Sequence, residues 1–225
     1  MRPSRWNNCP RDALRKNLTR PGASPRRSAG FTILELMVAV TVTAILAAIA
    51  VPTMRDYLRN SRLTTASNDL LHSLAVARAE AIKRQTNTIV CGTALPNAAA
   101  PVCDGSPFSA WVVFVDANRN GAYDAGEVVI IRHGPLDPSV TVRQDGTNSI
   151  QTFTRSGFAL PPTGGVVPTR NVVYSDDRGN VAAIAGRATA PVSTARAVLI
   201  SATGRAQASK LISDVTTALA AVAAN

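Results

Sequence analysis

The strongest hydrophobic signal in the chain is a run of 21 residues, Phe31 to Val51, that contains a single charge, Glu35. A helix rises about 1.5 Å per residue, so roughly 20 apolar residues are enough to cross the hydrocarbon core of a bilayer. The run therefore predicts the transmembrane half of an N-terminal helix over residues 31–51.

After Pro52 the hydrophobic pattern becomes that of an amphipathic helix over residues 52–85. Apolar residues recur at spacings of three and four, and charged residues occupy the other faces. The apolar stripe consists of Leu63, Ala66, Leu70, Leu74, Ala77 and Ala81. We expect one helix from Phe31 to about Gln85, roughly 80 Å long, with its stripe packed on a sheet. Proline removes one backbone donor, so Pro52 is expected to kink or locally melt this helix.

Beyond Thr86, short β-branched runs separated by turn residues predict an antiparallel sheet domain at residues 86–207. The predicted strands are 88–91, 111–115, 128–131, 140–142, 171–174 and 197–200. Residues 208–225 carry apolar residues at near-helical spacing, and two interpretations stay open for them, a short helix or a flexible tail.

The formal net charge of +10 is concentrated at the N-terminus, where residues 1–30 hold eight basic residues and one acid. By the positive-inside rule, this block places the N-terminal end in the cytoplasm and the bulk of the chain on the other side of the membrane. Most of the charge therefore indicates orientation and not a nucleic-acid partner.

Two of the three cysteines, Cys91 and Cys103, lie on the translocated side in this topology, whereas Cys9 lies in the basic block. In an oxidising compartment such a pair more often forms a disulfide than not, and closing a loop of this size stabilises by about 3 kcal/mol. A metal site would need further ligands nearby, and the sequence offers none. We therefore expect a Cys91–Cys103 disulfide.

Glu35 needs an explanation, because a charge inside an apolar span costs roughly 2.5–3.5 kcal/mol. One explanation is a carboxylate that snorkels to the interface. The other comes from its surroundings: the string Gly30-Phe31-Thr32-Ile33-Leu34-Glu35 resembles the processing motif of type IV pilins and type II secretion pseudopilins. An ordinary secretory signal peptide explains the sequence less well, because the apolar core of such a peptide is only 7–15 residues long and the run in this chain is longer.

The resemblance implies that prepilin peptidase removes residues 1–30 as a basic leader peptide and methylates the new N-terminal amine of Phe31. It also implies that Glu35 pairs with the amine of a neighbouring subunit during filament assembly, which would make its charge tolerable in the bilayer. Pro52, the twenty-second residue counted from Phe31, matches a proline of that family.

Three longer strings narrow the resemblance: RLTTASNDLLHSLAVARAEAIKRQTNTIVC, WVVFVDANRNGAYDAGEVVIIR and ISATGRAQ. Together with the helix they resemble the GspH/FimT family of minor pseudopilins and minor pilins. The implied fold is α+β and type IV pilin-like, a long N-terminal transmembrane and amphipathic helix packed on an antiparallel β-sheet domain of two packed sheets.

The implied function is structural, as a component of a type II secretion pseudopilus or a type IV pilus that takes part in filament assembly, priming and protein secretion. The implied partners are prepilin peptidase, other pilins or pseudopilins, the inner-membrane assembly platform and membrane lipid. The implied location is the cell inner membrane, with one membrane pass and a periplasmic C-terminal domain.

One loop also matches a calcium-binding pattern, D-x-[DN]-x-[DN]-G-x5-E, through Asp116, Asn118, Asn120, Gly121 and Glu127. Alternating oxygen ligands closed by a carboxylate suit Ca²⁺. Strands and not helices flank this loop, and Asn-Gly is also a common strand connection. Both interpretations, a structural turn and a calcium loop, stay open.

The C-terminal third supplies the alternative function, a DNA-binding minor pilin that acts in natural transformation. Residues 178–210 contain no acidic residue and five basic residues. Three of the basic residues are the candidate DNA contacts Arg196, Arg205 and Lys210. The string Gly204-Arg205-Ala206-Gln207 resembles a Gly-Arg-x-Arg motif of family members active in DNA uptake, but Gln207 replaces the second arginine. The other interpretation is a solvated sheet face.

No pattern indicates catalysis or a cofactor. The two histidines, His72 and His133, have no ligand at metal-binding spacing, and the sequence contains no nucleophile elbow, P-loop, dinucleotide fingerprint or zinc-protease motif. We expect a protein that is not an enzyme.

Overall fold

The computed structural model describes residues 30–146, 149–160, 170–179 and 192–223. The chain divides into two compact units, Met1–Ala48 and Ile49–Asn225. Helix α1 (Ile33–Arg84) begins in the first unit and continues through Pro52 into the second. Within the described residues, α1 is the one helix long and apolar enough to cross a membrane.

The second unit contains two four-stranded antiparallel sheets and a C-terminal helix, α2 (Ile212–Ala223). Sheet A has the strand order β3-β2-β1-β5 and sheet B the order β4-β6-β7-β8. The strands are β1 (Asn87–Gly92), β2 (Trp111–Asp116), β3 (Val129–His133), β4 (Thr141–Gln144), β5 (Ile150–Phe153), β6 (Asn171–Ser175), β7 (Val192–Ile200) and β8 (Ala206–Leu211). The predicted α+β class, a long helix with two antiparallel sheets, is confirmed.

The second half of α1 and both sheets share one hydrophobic core. All six residues of the predicted apolar stripe are buried. Sheet A contributes Val90, Trp111, Val113 and Phe153, and sheet B contributes Val172, Tyr174, Val198 and Ile200. The Trp111 indole also donates a hydrogen bond of 2.9 Å to Ser73 Oγ on α1. A buried indole N–H thus has a partner where the helix meets the sheet.

Each sheet also buries part of its other face. In sheet B, Val173, Ala195 and Ala197 pack against Val215 and Ala218 of α2. In sheet A, Ile89, Cys91, Val112 and Phe114 pack against Cys103 and Tyr123 from the loops that precede and follow β2. Strand β2 is therefore buried at every position, which explains its continuous apolar sequence.

The structure corrects the predicted elements in several places. Two strands, β5 and β8, were absent from the prediction, and β7 begins five residues earlier than predicted. Strand β8 also crosses the expected domain boundary at residue 207 and leads directly into α2, so residues 212–223 are helical. Its sequence AQASKL contains no β-branched or aromatic residue, and its pairing with β7, not its own propensity, makes it a strand. Pro52 does not end the helix. The leader except Gly30, Cys9 and Arg187 lie outside the described residues.

Candidate functional site

The start of α1 holds the residues that the processing motif singles out. Thr32 caps the helix: its hydroxyl accepts the Glu35 N–H at 3.1 Å, and its carbonyl accepts the Leu36 N–H at 3.1 Å. A threonine with a glutamate three residues later is a common helix start. Gly30 and Phe31 precede the helix, and both are exposed. The bond between them therefore lies in accessible, non-helical chain.

Glu35 lies in the first turn of α1, where a negative charge interacts favourably with the helix dipole. Every residue from Gly30 to Leu58 is exposed, including all of the apolar run. Phe31 is 82% exposed, and Ile45, Leu46 and Ile49 are each more than 60% exposed. A water-soluble domain rarely exposes so much apolar surface, so this surface requires lipid or another protein.

The predicted disulfide is confirmed, since Cys91 and Cys103 are bonded with their Cα atoms 5.6 Å apart. Asp104 fixes the same loop by accepting the N–H groups of Ala94 and Ser106 at 3.0 and 2.9 Å. Burial raises the pKa of Asp104, but these N–H donors outweigh it and hold that pKa below its usual value. The loop between β1 and β2 is therefore fixed by the disulfide and by the hydrogen bonds of the Asp104 carboxylate.

The calcium-like loop follows β2, and its carboxylates accept backbone N–H groups. Asp116 accepts from Asn120 and Gly121 at 3.1 Å each. Glu127 accepts from Ala117 at 2.8 Å and from Asp124 at 3.1 Å. Burial raises the pKa of Asp116, and the nearby Glu127 carboxylate adds to the effect, although the N–H donors oppose it.

Asp124 is a member of this loop that the sequence analysis missed, although it occupies position 9 of the motif. Its Oδ2 accepts the side-chain amides of Asn118 and Asn120 at 2.7 and 2.6 Å. Arg119 and Gly121 adopt left-handed conformations, with φ of 62° and 84°. Within the described residues, no group of three or more His, Cys, Asp or Glu is placed to hold a metal ion. These hydrogen bonds favour the interpretation as a structural turn.

The described basic residues of the C-terminal third differ in their contacts. Arg178 binds the Asp176 carboxylate at 2.6 Å, lies 3.6 Å from Asp56, and donates to Asn60 Oδ1 at 3.0 Å. Asp56 and Asn60 belong to α1, so Arg178 ties the loop after β6 to the helix. This arginine is occupied by structural contacts.

Arg196 is also occupied. Its guanidinium donates to the carbonyls of Ser193, Thr194 and Ala195 at 2.9 to 3.2 Å. Burial lowers its pKa, and the charge of Arg178 lowers it further. This candidate DNA contact instead donates hydrogen bonds to backbone carbonyls of its own strand, β7.

The other two candidate contacts, Arg205 and Lys210, are exposed. Arg205 lies in the β7–β8 turn and Lys210 near the end of β8. Five residues of extended chain separate them by about 17 Å. Gln207, the departure from the DNA-uptake motif, is exposed between them.

The two histidines differ in their surroundings. His72 is exposed on α1, whereas His133 contacts protein groups. The His133 ring stacks on Trp111, with 3.8 Å between centroids and 4° between planes, and its Nε2 lies 3.4 Å from Asp69. His133 therefore packs strand β3 against the helix.

Comparison with known proteins places the chain in a family. Residues 66–204, more than half of the chain, match the family described as type II transport protein GspH. The chain belongs to the GspH family. The resemblance to this family drawn from its sequence is therefore confirmed.

A second match covers the N-terminal part of this GspH-family chain, where residues 25–51 fit the prokaryotic N-terminal methylation motif. The type IV major alpha-pilin of Moraxella bovis is 46% identical over 41 residues, which are 18% of this chain and 26% of that pilin. The chain thus matches about a quarter of the length of that relative.

Among solved structures, two crystal forms of the Pseudomonas aeruginosa type IV minor pilin FimU are similar to this chain. Each is 16% identical to it, with TM-scores of 0.40 and 0.41. The alignments cover 65% and 70% of this chain and 91% and 94% of the FimU chains.

Proposed function

We propose that this GspH-family protein is a minor pilin or pseudopilin, a structural subunit of a type IV pilus or a type II secretion pseudopilus that acts in filament assembly or priming. The observation that carries the proposal is the exposed apolar run at the start of α1 together with the methylation motif across residues 25–51. A run that is exposed on every side suits a helix that exchanges a lipid environment for contacts with other subunits.

In this proposal, residues 1–30 are a cleaved leader, residues 31–51 span the inner membrane, and residues 52–225 carry the amphipathic helix, the periplasmic domain and the C-terminal segment. Prepilin peptidase cuts after Gly30 and methylates Phe31, and the assembly platform and other pilins are the later partners. The Cys91–Cys103 disulfide supports a location outside the cytoplasm. The DNA-binding alternative has less support, because Arg178 and Arg196 are occupied by protein groups and, of the described basic residues in this part of the chain, only Arg205 and Lys210 remain available.

Replacing Gly30 tests the processing step. We expect Gly30→Ala to leave the full-length precursor, because the added methyl group lies next to the bond that the peptidase must accommodate. Immunoblotting would show a band larger by the leader. Gly22→Ala, a change to another glycine of the leader, is the matched control and should be processed normally. Normal processing of Gly30→Ala would contradict the assigned cleavage site.

Replacing Glu35 tests the assembly step. We expect Glu35→Gln to insert in the membrane but to be lost from sheared filaments, because the variant keeps the shape of the side chain and lacks its charge. Thr32→Ala is the control, since it removes the helix cap and keeps the carboxylate. Wild-type amounts of Glu35→Gln in filaments would show that no charge pairing is needed.

A further inference from the structure

A groove of about 560 Å³ lies between α1 and the β7–β8 turn. Its apolar wall includes Leu71, Ala75, Ala79 and Ile82 of α1, and Ala206 of β8 lines the opposite side. Gly157 packs on Ile82 at one end of this face. Ile82 is nevertheless 44% exposed and Ala79 is exposed, so the described segments leave most of the face uncovered.

Two arginines line the same groove, Arg78 from α1 and Arg205 from the β7–β8 turn. In the described ranges neither guanidinium has an ion pair or a hydrogen bond, in contrast to Arg178 and Arg196, and the groove lining includes no carboxylate. Guanidinium groups at the edge of an apolar surface bind carboxylates well, because they are weakly hydrated and offer paired N–H donors.

Strand β8 forms the edge of sheet B and pairs only with β7 among the described strands. It begins at Ala206, which lies in the groove. A sheet edge presents N–H and C=O groups that an extended polypeptide can pair with, while alternate side chains of the added strand fill an adjacent apolar surface. The groove thus combines an apolar wall and two cations with the first residue of a sheet edge.

We propose that this groove binds an extended, mainly apolar segment of a neighbouring filament subunit, with an Asp or Glu of that segment bound between Arg78 and Arg205. The inference rests on the proposed function, because it assigns the partner to the filament. DNA is the less suitable ligand, since an apolar wall gives a phosphate chain no contact and His72 is the one aromatic ring among the residues that line the groove.

Site-specific photo-cross-linking in cells that assemble the filament tests the proposal with the full chain. A p-benzoylphenylalanine residue replaces Ala79 or, in a second variant, Ala75. The same residue at Leu95, which is 69% exposed and lies outside the groove, is the control. We expect both groove positions to cross-link to one subunit peptide that contains Asp or Glu, as identified by mass spectrometry.

The arginines give the decisive comparison. Arg78→Gln and Arg205→Gln should each reduce the cross-link from position 79 at least about fivefold, as loss of a charged hydrogen bond would, and leave products at Leu95 unchanged. Arg205→Glu should abolish the cross-link, and exchange of the partner carboxylate for Lys should restore it.

Three outcomes overturn the proposal: yields that do not depend on either arginine, a product with DNA instead of protein, or no product from chains that are present in filaments. Sheared filaments are blotted in parallel. Absence of the chain from filaments would refute the proposed function itself, whereas presence without a groove cross-link would refute only this inference.

Discussion

At the scale of single residues, two buried polar atoms in the core stand apart. Thr88 Oγ1 and Gln151 Oε1 are buried, and neither has a hydrogen-bond partner within the described part of the chain. Thr86, two residues before Thr88, differs because its hydroxyl donates to the Asp116 carbonyl at 3.2 Å. Burying a hydroxyl without a partner costs free energy that a methyl group would not.

Thr88→Val and Thr86→Val should therefore have opposite effects on stability. We expect Thr88→Val to be neutral or to stabilise by up to about 1 kcal/mol, and Thr86→Val to destabilise by about 1 kcal/mol. Urea unfolding of the full chain in detergent, followed by Trp111 fluorescence in a Trp6→Phe background, measures both. A larger loss for Thr88→Val than for Thr86→Val would show that the Thr88 hydroxyl has a partner, such as an ordered water.

At the scale of elements, the pairing of β7 with β8 is irregular. Four residues of β7, 193–196, lie opposite Lys210 alone, between the pairs Val192–Leu211 and Ala197–Ser209. Arg196 ends this bulge and donates to the three carbonyls that precede it. The Arg196 side chain thus supplies hydrogen-bond donors to the carbonyls of the extra β7 residues, which lack a regular partner in β8.

Arg196 should therefore matter for stability and not for DNA. We expect Arg196→Met, which keeps the aliphatic stem, to destabilise by about 1.5–3 kcal/mol, the usual effect of losing hydrogen bonds from a charged group. Arg205→Met, the matched control, should stay within about 0.5 kcal/mol, because the side chain is exposed. Equal unfolding midpoints in urea for the two variants would contradict the structural role.

The elements also show what the sequence could predict. The amphipathic stripe of α1 and the start of β2 at Trp111 follow from strong periodicity and β-branched runs, and both are confirmed. Strands β5 and β8 are short or poor in such residues, and partners distant in sequence stabilise them. The same limit applies to the candidate sites: composition marks Arg178, Arg196 and Arg205 alike, and only tertiary contacts reveal which of them lack a partner.

At the scale of the whole molecule, the loss of folding stability in acid is the sum of the contributions of all carboxylates. Asp176 is a carboxylate with a nearly buried, ion-paired side chain. Its side chain is only 4% exposed and binds Arg178, which reaches α1 through Asn60. Burial raises the pKa of Asp176, but the hydrogen bonds and charge of Arg178 outweigh this and lower it below its usual value. Arg59 and Asp177 add an exposed ion pair between the same two segments.

A carboxyl group whose pKa is lowered by folding stabilises the protein fully above its unfolded pKa, about 3.9 for aspartate. That contribution disappears as the pH falls through the lower pKa of the folded state. We expect Asp176→Asn to destabilise by about 1–3 kcal/mol at pH 7 and the difference from wild type to shrink below pH 4. Thermal unfolding across this pH range measures it. Asp177→Asn, the exposed control, should have little effect at any pH, and a pH-independent loss for Asp176→Asn would contradict the argument.

If the chain is processed as proposed, the cap at Thr32 has a consequence for the timing of maturation. Because the first helical hydrogen bonds end on Thr32 itself, cleavage between Gly30 and Phe31 would break no bond of the helix. The protease could therefore act on a fully formed substrate, before or after the domain folds, without a prior unwinding step. Maturation would then be set by enzyme encounter in the membrane and not by the folding state of the subunit.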